Sequence, residues 1–184
     1  MIEINRNYLD AAHLKSVKDW IYNCGHLKDF SSSDNKTKRL AFAATFTAEN
    51  LPEHLKHYAD RDTNVYNFIS IVTTSYGAID THVDDDLTCH MKSIGIPNMF
   101  IKLPHSTDIF YVDVSKAMTG GQLICHDMMI APETNMLVRL LKNTPHAVAS
   151  INDSDSPRVV LVCERYRLLK STIKTLNTPL YRDG

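Results

Sequence analysis

Apolar residues recur along the chain first at helical spacing and then, from about residue 66, in short runs cut by Gly, Pro, Asn, Asp and Ser. In "LDAAHLKSVKDWIYNCG", Leu9, Ala12, Val17, Trp20 and Ile21 fall at near-helical intervals, and Gly25 is a residue type that ends helices, so a helix over 8–23 is predicted. The polar stretch "SSSDNKTKR" at 31–39 predicts a loop, and "TAENLPEHLKHYADR", which starts at Thr47, a second, capped helix over about 48–62. Beyond it "NFISIVTTSYG", "NMFIKLP", "DIFYVDV", "GGQLICHD", "NMLVRLL", "HAVASI" and "PRVVLVCERYRLL" read as strands. Short strands with turn residues between them predict an antiparallel sandwich or barrel, of which the jelly roll is one solution. The tail "STIKTLNTPLYRDG" predicts a short helix and a frayed end.

The expected fold class is therefore α+β and mostly β, an antiparallel sandwich or barrel, a jelly roll among the possibilities, with N-terminal helices packed on one sheet. With 184 residues the chain can bury a core without staples, and one domain is expected: a helical support region over 1–65, the β core over 66–168 and a tail over 169–184.

Composition narrows the function classes. A net charge of −1, with 22% charged and 43% hydrophobic residues, describes an ordinary soluble globular protein and gives no excess of basic charge for nucleic acid. Cys24, Cys89, Cys125 and Cys163 show no CxxC spacing, and "MIEINRNYLD" has no apolar stretch of the secretory kind; free thiols in a reducing cytoplasm are expected. No apolar run approaches the roughly 18 residues of a membrane span.

Chemistry enters with "DTHVDDD" at 80–86. Acidic clusters between apolar segments are commonly solvated turns, yet in extended chain His82 and Asp84 project to the same side and can reach one ion. A third ligand has to come from a neighbouring strand, and His146, after Pro145 at the start of "HAVASI", is the best placed candidate. A hydrogen-bonded structural histidine is the plainer alternative for it. Two imidazoles and a carboxylate would form the facial triad that leaves positions open on non-haem Fe(II). Arg158 opens the strand "RVVLV", where its guanidinium can grip a carboxylate in a fork or form a surface ion pair. Arg158, Val160 and Val162 share one face of that strand, with Arg165 and Arg167 on the other.

Together these pieces resemble the Fe(II)- and 2-oxoglutarate-dependent dioxygenases, and among them the prolyl 4-hydroxylase-like group. The resemblance runs from about Phe68 to Leu168 on five ordered pieces: "YGAIDTHVD", with Tyr76 and Gly77 leading into the H-x-D pair, then "FYVDV", "TGGQL", "TPHAV" and "RVVLV". It implies a double-stranded β-helix core, His82, Asp84 and His146 as iron ligands, and Arg158 as the residue binding the distal carboxylate of 2-oxoglutarate. Tyr111 would add a hydroxyl to that carboxylate, or else serve as a core aromatic. Gly120 and Gly121 match the family's Gly-Gly turn and should be architectural. Gln122, Asp113 and Leu140 depart from the family's usual Glu, Asn and aromatic residue. The segment from 85 to 110 is longer than the compact pattern and is expected to form a lid or substrate-facing insertion, with His90 and His105 as surface or loop residues and Asp85 and Asp86 solvating the loop.

The implied cofactors are Fe(II), 2-oxoglutarate and O2, with ascorbate supportive, and retention of Asp84 points to hydroxylation of an unactivated C–H. A protein or peptide prolyl residue is the first substrate choice, with a small molecule, a free amino acid or a nucleobase as alternatives. A non-catalytic jelly-roll binding module and a zinc hydrolase are the readings from other classes.

Overall fold

A seven-stranded antiparallel sheet, ordered β1-β9-β5-β12-β3-β2-β13, forms the larger layer of the structure, a computed structural model that describes residues 2–23, 39–73, 77–141, 144–153 and 156–183. Its strands are β1 (Ile2–Arg6), β2 (Arg39–Thr47), β3 (Val65–Thr73), β5 (Ser106–Asp113), β9 (Met136–Leu141), β12 (Arg158–Tyr166) and β13 (Leu180–Asp183). A four-stranded sheet, β4-β10-β7-β8, faces it and comprises β4 (Ile79–His82), β7 (Leu123–Cys125), β8 (Met128–Ile130) and β10 (His146–Val148). A small pair joins β6 (Thr119–Gly120) to β11 (Ile151–Asp153). This is the expected jelly roll.

Alternation along β12 sorts the core. Every residue of this central strand is buried; Val159, Leu161 and Cys163 pack on one side with Phe42, Phe68 and Phe110. Val160 and Val162 pack on the other with Ile109, Tyr111, Leu123 and Val138, between the two sheets. Helix α1 (Ala11–Asn23) covers the outer side, burying Val17 and Ile21 completely; each such side chain contributes roughly 1.5–3 kcal/mol by leaving water. Asp10 starts the helix, its Oδ1 accepting the His13 N–H at 2.9 Å.

The region before residue 66 is less helical than expected. The predicted helix over 48–62 is only a 3-10 turn, Glu53–Tyr58, which buries Leu55 and Tyr58. Strands β1 and β2 also precede residue 66, pairing with β9 and β3. "NMFIKLP" is not a strand: Asn98–Phe100 is a 3-10 turn bounded by Pro97 and Pro104, and proline cannot donate to a ladder. The tail forms α3 (Lys170–Leu176) as expected, but its end is strand β13 on the edge of β2 rather than frayed chain. Most of the loop at 31–39, together with Gly25, Cys24 and Tyr76, lies outside the described residues; Arg39 begins β2. Cys89, Cys125 and Cys163 are free thiols. Among the described residues no helix is long and apolar enough to cross a membrane.

The insertion after Asp84 opens with α2 (Asp86–Ser93), whose Leu87 and Met91 join Val65, Tyr166, Leu168 and Leu176 in a third cluster. Its helix is anchored by that packing, and Asp85 and Asp86 line the cavity between the sheets.

Candidate metal centre

Strands β4 and β10 run antiparallel with His82 opposite His146. Residues paired in this way point to one face, and the two imidazoles stand with ring centroids 4.4 Å apart. Asp84 follows two residues after His82 and turns back to the pair. Its Oδ1 is 3.8 Å from His82 Nε2 and its Oδ2 3.5 Å from His146 Nε2. One ligand atom from each residue lies within 4.8 Å of the others, close enough to share one ion. No other such group of three occurs among the described residues.

The tautomers are set by backbone carbonyls. His82 Nδ1 lies 2.8 Å from Asp80 O, and His146 Nδ1 lies 3.1 Å from Thr144 O. A carbonyl only accepts, so each Nδ1 donates to it and each Nε2 is left facing Asp84. Burial pushes the Asp84 carboxyl above its ordinary range, while His146 and then His82 draw it back. Its Oδ2 is buried without a hydrogen-bond partner. A buried carboxylate oxygen without a hydrogen bond, facing two imidazole Nε2 atoms, is a set of ligand atoms that a cation would complete.

A cavity of about 550 Å³ opens from this group between the two sheets, with Ile69, Ile71, Ile109 and Leu123 among its apolar walls. Arg158 reaches it from the start of β12, with 5% of the residue exposed and Nη1 donating to Gly121 O at 3.1 Å. Gly120 and Gly121 both have positive φ, +84° and +70°. A Cβ on Gly120 would run into the Ser150 carbonyl, and one on Gly121 would crowd Arg158 Nη1 at 3.2 Å. The turn thus leaves room for the guanidinium as well as shaping the chain. Tyr111 lines the same cavity and is buried; burial pushes its hydroxyl up to about 12, with Arg158 acting in the opposite direction. On the opposite face Arg165 pairs with Asp60 at 2.8 Å and Asp108 at 2.6 Å, while Arg167 donates to Arg61 O.

His82, Asp84, His146, Arg158 and Tyr111 are therefore brought to one cavity. His90 and His105 are not among its walls; His105 Nε2 lies 3.0 Å from Thr63 Oγ1. Asp86 does more than solvate a loop, because its Oδ2 pairs with Arg182 at 2.7 Å. Glu164 was not singled out from the sequence. It lies two residues beyond Val162 on the inward face, lines the cavity and is fully buried. The alternation that places Arg158, Val160 and Val162 inward was the available signal.

No protein-family model matches the chain, and no curated protein matches it. Solved structures do. The fold and the site define a jelly roll with two histidines and a carboxylate at the opening between its sheets. Its structural neighbours include the Pseudomonas putida prolyl-4-hydroxylase, at TM-score 0.58 and 13% identity over 90% of this chain and 92% of that one. The non-haem alpha-ketoglutarate-dependent carbocyclase SnoK from nogalamycin biosynthesis gives TM-score 0.60 at 11% identity over 97% and 87%. A Trichoplax adhaerens prolyl hydroxylase in complex with a hypoxia-inducible-factor peptide fragment gives 0.51 at 14% over 96% and 87%. The chain has the fold of these oxygenases.

Proposed function

We propose that this chain is an Fe(II)- and 2-oxoglutarate-dependent dioxygenase that hydroxylates an unactivated C–H bond on a prolyl residue of a protein or peptide. The observation that carries this reading is the convergence of two imidazole Nε2 atoms and a buried carboxylate oxygen without a hydrogen bond at a cavity that also holds an inward arginine. His82, Asp84 and His146 would hold the iron. Arg158, fixed by the Gly121 carbonyl, would grip the distal carboxylate of 2-oxoglutarate, with the Tyr111 hydroxyl beside it. Ile69, Ile71, Ile109 and Leu123 would give an aliphatic substrate apolar walls to rest on. Iron, 2-oxoglutarate and O2 supply the oxidant, 2-oxoglutarate leaving as succinate and CO2. A buried arginine in the same cavity as the three ligands favours the oxygenase over a zinc hydrolase or a binding module.

The prolyl substrate is supported by prolyl hydroxylases among the neighbours, one of them with a peptide bound. A small-molecule substrate is the second reading, favoured by the similarity to the carbocyclase. The proposed setting is cytoplasmic, in keeping with three free thiols. Incubation with Fe(II), 2-oxoglutarate and ascorbate under air against a panel of proline-containing peptides tests the substrate. Gain of one oxygen atom by a peptide, localised to proline, is expected; oxidation of small molecules alone would favour the second reading.

A further inference from the structure

Helix α2 begins two residues after Asp84, and Asp85 at its N-cap makes no side-chain capping bond. The first N–H groups of a helix need acceptors. Here they find them 77 and 78 residues away: Glu164 Oε1 accepts the Asp86 N–H at 2.7 Å and Oε2 the Leu87 N–H at 3.2 Å. Glu164 Oε2 also accepts from Asn67 Nδ2 at 2.8 Å and from the Tyr166 hydroxyl at 2.9 Å. A second set of contacts closes on the same turn. Asn67 Nδ2 donates to Asp86 Oδ2 at 3.0 Å, and Arg182, on the C-terminal strand β13, donates to both Asn67 Oδ1 and Asp86 Oδ2 at 2.7 Å. Thr45 Oγ1 completes the set on Asn67 Oδ1 at 2.8 Å.

Asp84, by contrast, has a carboxylate oxygen with no hydrogen bond to orient it. Its place against the histidines is set by the backbone on either side. On the N-terminal side the His82–His146 pairing fixes the chain. On the C-terminal side Asp85 O accepts the Cys89 N–H at 2.9 Å, and Asp86 is clamped from both its amide and its carboxylate. A fully buried glutamate is a costly way to fill a core position, and it is tolerated when its acceptors are taken up by well-placed donors.

We propose that Glu164 is a positioning residue for the metal centre, holding the turn that carries Asp84, and that Asn67 and Arg182 brace it, so that the last strand of the chain takes part in metal binding. This rests on the reading of Asp84 as a metal ligand.

The test is anaerobic Co(II) titration of wild type, Glu164→Gln and Arg182→Ala, with His146→Ala and Asp108→Asn as controls. In Glu164→Gln an amide NH2 would face backbone N–H donors, so one anchor is lost. Co(II) affinity should fall about tenfold or more, the usual scale for groups that orient ligands, and about threefold in Arg182→Ala. Asp108→Asn, which disturbs a buried ion-pair cluster on the far face of the sheet, should lower stability while leaving Co(II) affinity unchanged. Affinities within twofold of wild type in both Glu164→Gln and Arg182→Ala would overturn the inference, as would an equal loss in Asp108→Asn. Arg182→Ala decides alone if Glu164→Gln does not fold. Co(II) binding that survives in His146→Ala as in wild type would instead overturn the metal-site reading itself.

Discussion

Truncation of Arg158 to alanine separates the proposed co-substrate role of this side chain from any structural one. Arg158 is buried at the start of β12, with one N–H committed to the Gly121 carbonyl. Loss of that bond costs about 1 kcal/mol, or roughly 2–4 °C in Tm for a chain of this size. The cost to 2-oxoglutarate is larger, because a forked pair with a carboxylate in an enclosed cavity is two charge-assisted bonds at once. Taking about 3 kcal/mol for the pair gives roughly a hundredfold weaker binding. The assay is succinate formation against 2-oxoglutarate concentration with Fe(II) saturating. KM for 2-oxoglutarate should rise about a hundredfold in Arg158→Ala and less in Arg158→Lys, which keeps the charge but not the fork. A KM within threefold of wild type, in a variant whose Tm has moved only slightly, would refute the assignment of Arg158 to the co-substrate.

Other expectations follow from the same geometry. Asp84→Gly should stop hydroxylation while His82 and His146 retain weak metal binding, read by product mass and metal titration; normal product would mean that another carboxylate is the ligand. Asp108 is fully buried and takes two bonds from Arg139, at 2.7 and 3.1 Å, and one from Arg165 at 2.6 Å. Asp108→Asn should therefore cost about 3 kcal/mol in urea unfolding, and a loss below about 1 kcal/mol would contradict the reading of this cluster as a clamp between β5, β9 and β12. Burial, with smaller contributions from His13, His54 and Arg165, lowers His57 from 6.5 to about 4. The unfolded chain takes up this proton first, so the stability tied to His57 is intact above pH 6.5 and is lost as pH falls from 6.5 toward 4. Urea midpoints across that window should fall less steeply in His57→Phe, and an unchanged slope would contradict the assignment.

What the sequence disclosed, and what it hid, divides along local and non-local lines. The alternation in "RVVLVCERY" disclosed both faces of β12, and the order of H-x-D, distal histidine and arginine disclosed which residues meet at the cavity. Strand β2 was hidden because "RLAFAATFT" is a near-continuous apolar run with three alanines, a pattern that suits a buried helix as well as a strand; only its nine-residue pairing with β3 decides. The 3-10 turn at Glu53–Tyr58 kept the helical signal of Leu55 and Tyr58, three apart, without the length of a helix. Strand β13 exists because β2 offers an edge to its backbone, which the residues of the tail do not announce. Arg182 was hidden for the same reason, and for Glu164 alternation showed the face but not the helix amides 77 and 78 residues away that it accepts from.

The central claim is that His82, Asp84 and His146 hold an iron that turns over 2-oxoglutarate. It is tested most directly by measuring succinate from 2-oxoglutarate under air with Fe(II) and ascorbate, in wild type and His146→Ala. Succinate from the wild type that vanishes in the variant is the predicted result. Equal succinate from both, or none from an iron-loaded wild type across a broad substrate panel, would contradict it.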